Sequence, residues 1–431
     1  TYVGLAPDTD YEVTVVPYGK TVSDGTPVKI HTNDALGGNK LSGIFCINEY
    51  IYGGGAHVAH TMENSGMTET MNLDKKLKLI TDMEVFSKTR YWENSEDIFK
   101  KYMSRGLGFH QYARTESSVK LCNDYGIYSY CSANEPDINS TYQNNPEKYV
   151  EVSKTNHNLI KNIDSKNVLA EASICGTDKL SFVESLYNSD SNYGSYYDVV
   201  DVHAYCKAFE GKQNHEDNLS DNAEAYSIPE HLFTKKARID TLLASHNDSA
   251  KNIIFTEIGW STHTLPYSQD VVVEGVTKEQ QANFVARAYL ISAALGIKNV
   301  FLYAFQDESY ETTNREYQFG IVDWYGNPKP AYYSYYTLGK LLKNAEFVER
   351  VNTITHPNYG VVFYDTEKSM YLTALWNVSG NGTSVRINSD DSQYLVTDVY
   401  GNTKYVSGNE IEIGSAPIYI YSSDKLTVAG I

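Results

Sequence analysis

The chain has 431 residues, long for one domain, so two or three are expected. No stretch approaches the ~20 apolar residues that a membrane-spanning helix needs. With 36 basic against 54 acidic side chains the net charge is −18, which repels phosphate backbones and argues against a nucleic-acid partner. A neutral ligand meets no such penalty, and the 37 Tyr suit the faces of sugars as readily as they suit strand surfaces. Five cysteines, Cys46, Cys122, Cys131, Cys175 and Cys206, are scattered without CxxC or Cys/His spacing. They predict neither a disulfide framework nor structural zinc, but small buried hydrophobes.

The chain opens without Met or a signal-like start, as a piece of a longer protein does. Thr1 to about Asp34 reads as strand, turn, strand, from the alternation of Tyr11, Val13 and Val15 and of Val28 and Ile30. Its segment GLAPDTDY resembles the Leu-x-Pro-x-Thr-x-Tyr signature near the end of a fibronectin type III domain, which implies a remnant over residues 1–35 with Tyr11 as its corner tyrosine.

Residues 36–344 alternate short apolar runs with helical stretches, the pattern of βαβ units. Eight strands are predicted: Ser42–Ile47, Val85–Trp92, Gly108–Ala113, Ile127–Ala133, Asn167–Ala172, Asp198–Ala204, Asn252–Glu257 and Asn299–Phe305. Helices are predicted over Asn72–Met83, Asp97–Arg105, Glu147–Ile163 and Lys236–Ser245. Another lies in TKEQQANFVARAYLISAALG, with Thr277 and Gln280 as a capping box and Gly296 as the stop. Eight strands with helical crossovers fit a (β/α)8 TIM barrel. After Pro328 and Pro330 one more helix closes it, and residues 345–431 carry short alternating strands with Gly/Asn/Asp turns, a β-sandwich pattern.

Barrel enzymes place their reacting groups at the C-terminal ends of strands. The run IYSYCSANEPD ends at Asn134 and Glu135, and NIIFTEIGWST ends at Glu257. From the fourth and seventh strands the two carboxylates would face each other across the barrel mouth. Glycosidic cleavage needs such a pair, one protonated to assist the leaving oxygen and one ionised to attack the anomeric carbon. A metal-dependent barrel hydrolase needs clustered His and Asp instead. Asp198, Asp201 and His203 share one strand, but no second cluster joins them. Gly53, Gly54 and Gly55 with His57 and His60 lack the Lys-Ser/Thr of a phosphate loop and read as a loop over the cleft.

At these residues the chain resembles the retaining glycoside hydrolases of clan A. Asn134-Glu135-Pro136 is similar to that clan's acid/base motif and Thr-Glu257-x-Gly-Trp260 to its nucleophile motif. Arg90 in KTRYW, His110 in GFHQYA and His203-Ala204-Tyr205 fall in register with its cellulase-like families. The stretch from EQQANFVARAYLISAALGIKNVFLYAFQDE to AYYSYYTL resembles the family 39 and related β-glycosidases.

The resemblance implies a hydrolase without cofactor or metal, acting with retention on a neutral β-linked glycan. Glu135 would be the acid/base, its pKa raised, and Glu257 the nucleophile, kept ionised by Arg90 and the Tyr205 hydroxyl. Asn134 would offer its amide to a sugar 2-hydroxyl, and His110 and His203 would donate to substrate or carboxylates. The Trp that usually forms the floor of the −1 sugar site is missing from FLYAFQDE, leaving Tyr303, Phe305, Trp260 or Trp92 as platforms. Endo action on an extracellular polysaccharide is expected, with exo action the alternative. A non-hydrolytic carbohydrate-binding protein is the competing class, and it would be signalled by loss of either carboxylate.

Overall fold

A computed structural model describes residues 4–14, 27–38, 41–48, 73–90, 95–206, 228–264, 275–379, 382–388 and 393–430. Two short antiparallel strands, β1 (Asp10–Thr14) and β2 (Pro27–His31), open the chain. They are followed by eight parallel strands: β3 (Phe45–Asn48), β4 (Lys88–Arg90), β5 (Gly108–Tyr112), β6 (Ser129–Cys131), β7 (Val168–Ile174), β8 (Val199–His203), β9 (Asn252–Ile258) and β10 (Val300–Leu302). These close in chain order, with β10 paired to β3. The expected eight-stranded barrel is therefore present. Several strands are shorter than their apolar runs, because residues such as Val85, Phe86 and Ile127 pack in the wall outside the paired segment.

Helices at Leu73–Met83, Glu96–Met103, Pro146–Ile163, Leu232–Ser245, Lys278–Ala294 and Pro330–Leu342 lie close to the expected spans, and two more occur at Glu116–Asp124 and Leu180–Ser189. The Thr277 hydroxyl accepts from the Gln280 amide at 3.0 Å while the Gln280 side chain accepts from the Thr277 amide at 2.8 Å, completing the capping box. Most of the apolar core lies between barrel and helices.

Inside the barrel the lower end is apolar, a plug of Leu36, Val168, Ala170, Val199 and Ile254. Above it the lining turns polar, with His110, Ser129, Asp201 and Thr256 all buried. The Asp201 carboxylate accepts from Ser173 and from Thr256 Oγ1 (2.5 Å), and His110 Nδ1 pairs with Ser129 Oγ at 2.8 Å.

The remaining strands, β11 (Ala345–Arg350), β12 (Asn358–Asp365), β13 (Met370–Asn377), β14 (Thr383–Asn388), β15 (Gln393–Thr397), β16 (Thr403–Ser407), β17 (Glu410–Ile413), β18 (Ile418–Ser422) and β19 (Thr427–Gly430), are antiparallel. They form a sheet ordered β11-β12-β13-β18-β15-β16 and a smaller one ordered β17-β14-β19, with Val385, Ile387, Ile411 and Ile420 in one core between them. A buried ion pair joins this sandwich to the barrel. Arg287 donates to both oxygens of Glu230, and the Trp376 indole donates to Glu230 Oε1 at 2.8 Å.

Candidate active site

Two β-bulges aim the site. Opposite β8, His203 pairs with Glu257 and Asp201 with Ile254, so β9 carries one extra residue there, and its pairing with β10 slips over the same stretch. A bulge reverses the in-out alternation. That is why Thr256 and Glu257, adjacent in sequence, both reach the barrel interior: Thr256 bonds Asp201 and Glu257 meets Arg90. On β7 the extra residue is Ser173, at φ +49°. Its carbonyl accepts from the Glu135 amide at 3.0 Å. Glu135 itself sits at φ +44°, a left-handed conformation costing roughly 1–2 kcal/mol in a non-glycine residue. The neighbouring strand end holds it there.

Arg90, fully buried at the end of β4, is the hub. Its Nη1 donates to Glu257 Oε1 at 2.6 Å, and its Nη2 donates to the Tyr112 hydroxyl at 2.8 Å and to Asn134 Oδ1 at 2.9 Å. Burial disfavours its charge, but Tyr112 and Glu257 outweigh that and hold the guanidinium well above its usual pKa. The Tyr205 hydroxyl donates to Glu257 Oε2 at 2.7 Å. Both oxygens of Glu257 thus have the partners the sequence suggested. With its carbonyl end committed to Arg90, Asn134 has its NH2 end to offer a sugar hydroxyl.

His203 links the two acids. Its Nδ1 lies 2.9 Å from Glu135 Oε1 and 3.4 Å from Glu257 Oε2. One oxygen of each carboxylate and a His203 ring nitrogen all lie within 4.8 Å of one another. The nearest oxygens of the two carboxylates thus face each other across one edge of the His203 ring.

One expectation is corrected. Burial pushes the Glu135 pKa up, but the hydrogen bond and charge of His203 more than offset it, and Glu135 lies below the usual glutamate value. Burial lowers His203 in turn, and the two carboxylates more than restore it, so the imidazole lies above its usual value.

His110 is also corrected. It lies below the site on Ser129, its ring against Phe301 at 5.6 Å, and burial together with Arg90 drives its pKa far down, so it is a neutral packing residue. Phe305 is fully buried against Phe86, and Trp260 is buried with its ring 5.7 Å from Phe284. Neither is a platform. Tyr303 is half-buried, its ring 6.2 Å from that of Tyr205, which bonds Glu257, and its hydroxyl donating to Glu308 Oε1 at 2.8 Å. Trp92, Gly53 to Gly55, His57 and His60 lie outside the described residues.

Asp198 bonds Lys161 at 2.8 Å near the start of β8, away from Asp201 and His203. Among the described residues, Glu135, His203 and Glu257 form the one compact group of acids and imidazole. Sequence reasoning missed Tyr112, although it follows His110 by two on the same strand face, and it missed Cys175. The other four cysteines are buried, as expected. Cys175 is half-exposed just past β7, and its backbone amide donates to Asp137 Oδ1 at 3.0 Å.

No protein-family model matches the sequence, and no curated protein matches it. Solved structures do match. A family 39 glycoside hydrolase from Bacteroides cellulosilyticus superposes with TM-score 0.63 at 17% identity, over 96% of this chain and 88% of that one. A glucosidase from Croceicoccus marinus follows at 0.57 and 9%, over 90% and 96%. A monomeric β-xylosidase from Caulobacter crescentus gives 0.51 and 13%, over 89% and 95%. The chain shares its fold with these glycoside hydrolases. The first of these matches spans the barrel and the sandwich together.

Proposed function

We propose that the protein is a retaining glycoside hydrolase that cleaves β-linked glycans by double displacement. The observation that supports this is the close approach of Glu135 and Glu257 on either side of His203, one oxygen of each within 4.8 Å, as a pair of acids working on one glycosidic bond requires. Glu257, anchored by Arg90 and Tyr205 on both oxygens, attacks the anomeric carbon. Glu135 protonates the departing oxygen, drawing the proton it shares with His203 across their 2.9 Å contact. In the second step Glu135, now a carboxylate, takes a proton from the water that attacks the glycosyl-enzyme, and Glu257 leaves. Asn134 donates to the sugar 2-hydroxyl, and Tyr303 lines the −1 site in place of a tryptophan.

We read the substrate as a neutral polysaccharide cut internally. Exo action is the second reading, suggested by the glucosidase and β-xylosidase among the structural neighbours. The location we propose is extracellular, from the fibronectin-like start, where the Tyr11 hydroxyl accepts from the Ala6 amide at 2.8 Å as a corner tyrosine does.

The test is a panel of nitrophenyl β-glycosides and polysaccharides, with proton NMR of the first-formed anomer. Retention is expected; inversion, or no hydrolysis at all, sinks the reading. Oligosaccharide ladders mean endo action and monosaccharide alone exo action. In Glu135→Ala, activated aryl glycosides should still be attacked, natural substrate far more slowly, and azide should restore turnover of the activated substrate.

A further inference from the structure

We infer that Asp201 is a positioning residue for both acids: its one carboxylate, on β8, fixes the bulges of β7 and β9 that aim Glu135 and Glu257. The inference rests on the glycosidase reading and adds to it a residue one step below the reacting groups.

Asp201 is fully buried inside the barrel, and the register slips on both sides of β8 immediately after it. Toward β7, Ala172 pairs with Asp201 and Ile174 with Val202, which leaves Ser173 as the extra residue. Toward β9, Ile254 pairs with Asp201 and Glu257 with His203, so Phe255 and Thr256 together stand opposite Val202. The Asp201 side chain reaches into both irregular stretches. Its Oδ2 accepts from the Ser173 hydroxyl, and its Oδ1 accepts from the Thr256 hydroxyl at 2.5 Å and the Thr256 amide at 3.3 Å. Each bonded residue leads straight to an acid. The Ser173 carbonyl accepts from the Glu135 amide at 3.0 Å, and Thr256 precedes Glu257 in the chain. Two residues beyond Asp201, on the same face of the strand, His203 Nδ1 lies 2.9 Å from Glu135 and 3.4 Å from Glu257. Asp201 thus fixes the backbone on either side of β8, and His203 meets the carboxylates that this backbone presents.

A bulge leaves its extra residue outside the hydrogen-bond ladder, so a side-chain contact has to set which way that residue points. Three donors converge on the two oxygens of Asp201, the pattern of an acceptor-only group, and both hydroxyls are drawn toward the barrel axis. With Thr256 turned inward, the extra residue of β9 brings Glu257 inward as well. The bonding partners of Asp201 are neutral, two hydroxyls and one amide. Burying an acid among neutral donors costs free energy that an apolar residue of similar volume would avoid. What the arrangement supplies is direction, and a misplacement of about 1 Å at a reacting group is enough to cost on the order of 10²-fold in rate.

Two measurements on the full chain test this. The first reads kcat/KM on a dinitrophenyl and a phenyl β-glycoside of whichever sugar the wild type hydrolyses. Ser173→Ala cuts the arm toward Glu135, and Thr256→Val cuts the arm toward Glu257. Dinitrophenolate departs without a proton, so Ser173→Ala should lose on the order of 10-fold on the phenyl glycoside and less than about twofold on the dinitrophenyl one. Thr256→Val should lose on the order of 10-fold on both, because Glu257 attacks in each case. Asp201→Asn should combine the two, with a loss on the order of 10²-fold on the phenyl glycoside. Should that variant fail to fold, the two arm variants decide. A residue that merely packs would lower both substrates alike in both variants. That result, or an unchanged Thr256→Val, overturns the proposal. The second measurement, NMR titration of the His203 ring, needs no turnover. Burial lowers the His203 pKa, and Glu257 and Glu135 raise it above its usual value, so it reports how closely the carboxylates are held. In Thr256→Val, which changes no charge, it should fall by about half a unit, and an unmoved value overturns the positioning role. If the wild type hydrolyses no glycoside, the glycosidase reading falls, while the titration still decides whether the bond to Asp201 places the acids.

Discussion

Lys88 and Arg90 stand two residues apart on β4, so both point into the barrel, yet their surroundings are opposite. The Lys88 ammonium donates to the Ala35 carbonyl at 2.5 Å and to Asn299 Oδ1 at 3.2 Å, beside the plug that Leu36 forms. Its partners are neutral dipoles, and burial lowers its pKa. Arg90, one step up, meets a carboxylate, a phenol and an amide, and its pKa is raised. The lower end uses a cation as a hydrogen-bonding strut that seals the chain's entry into the barrel. The upper end uses one to hold an acid in place. A planar guanidinium bonds several groups at fixed angles, which a single ammonium does not, and the residue type at each end matches that difference.

Four substitutions break or sharpen this comparison. Glu257→Gln should have the largest effect, a loss of hydrolysis by several powers of ten with the fold retained, because the covalent route disappears while little volume changes. Activity on the aryl glycoside panel and circular dichroism check both halves. Arg90→Lys comes next: a lysine that reaches Glu257 gives up Tyr112 and Asn134, and kcat should drop on the order of 10²-fold, as when one preorganised donor is lost.

Third is Glu171, which faces outward from β7 and is bonded by Tyr149. Burial lifts its pKa from 4.5 to about 7. A carboxyl group raised in the folded state contributes stability that is complete below pH 4.5 and is lost as pH rises through about 7. Wild type should therefore lose about 3 kcal/mol between pH 4.5 and pH 8 from this group. Glu171→Gln should lack that loss, as urea unfolding at the two pH values will read. Last, Lys88→Met should change stability by under about 1 kcal/mol and leave kcat within about twofold, since its partners are carbonyl dipoles far from the chemistry. A large fall in kcat would mean that the two ends of the barrel are coupled.

The sequence by itself determined the barrel, the sandwich and the pair of acids. Alternation of apolar strands with capped helices leaves few ways to bury both, and a strand end is a local feature that NEP and TEIGW mark without help from distant residues. The resemblance to clan A also pointed to Arg90 and Tyr205 as the groups that would hold Glu257. Tertiary structure alone decided the rest. The bulges at Ser173 and next to Glu257 depend on the register of both neighbouring strands, so no local pattern shows which of two adjacent residues faces inward. The pKa directions of Glu135 and His203 came from contacts between residues far apart in the chain, His203 with Glu257 and, at 2.9 Å, with Glu135 68 positions earlier. The fates of Trp260 and Phe305 turned on which side of the wall their rings were packed. Cys175 looked like four other cysteines until the fold left it half-exposed past β7, its amide on an Asp137 that the chain carries 38 residues earlier.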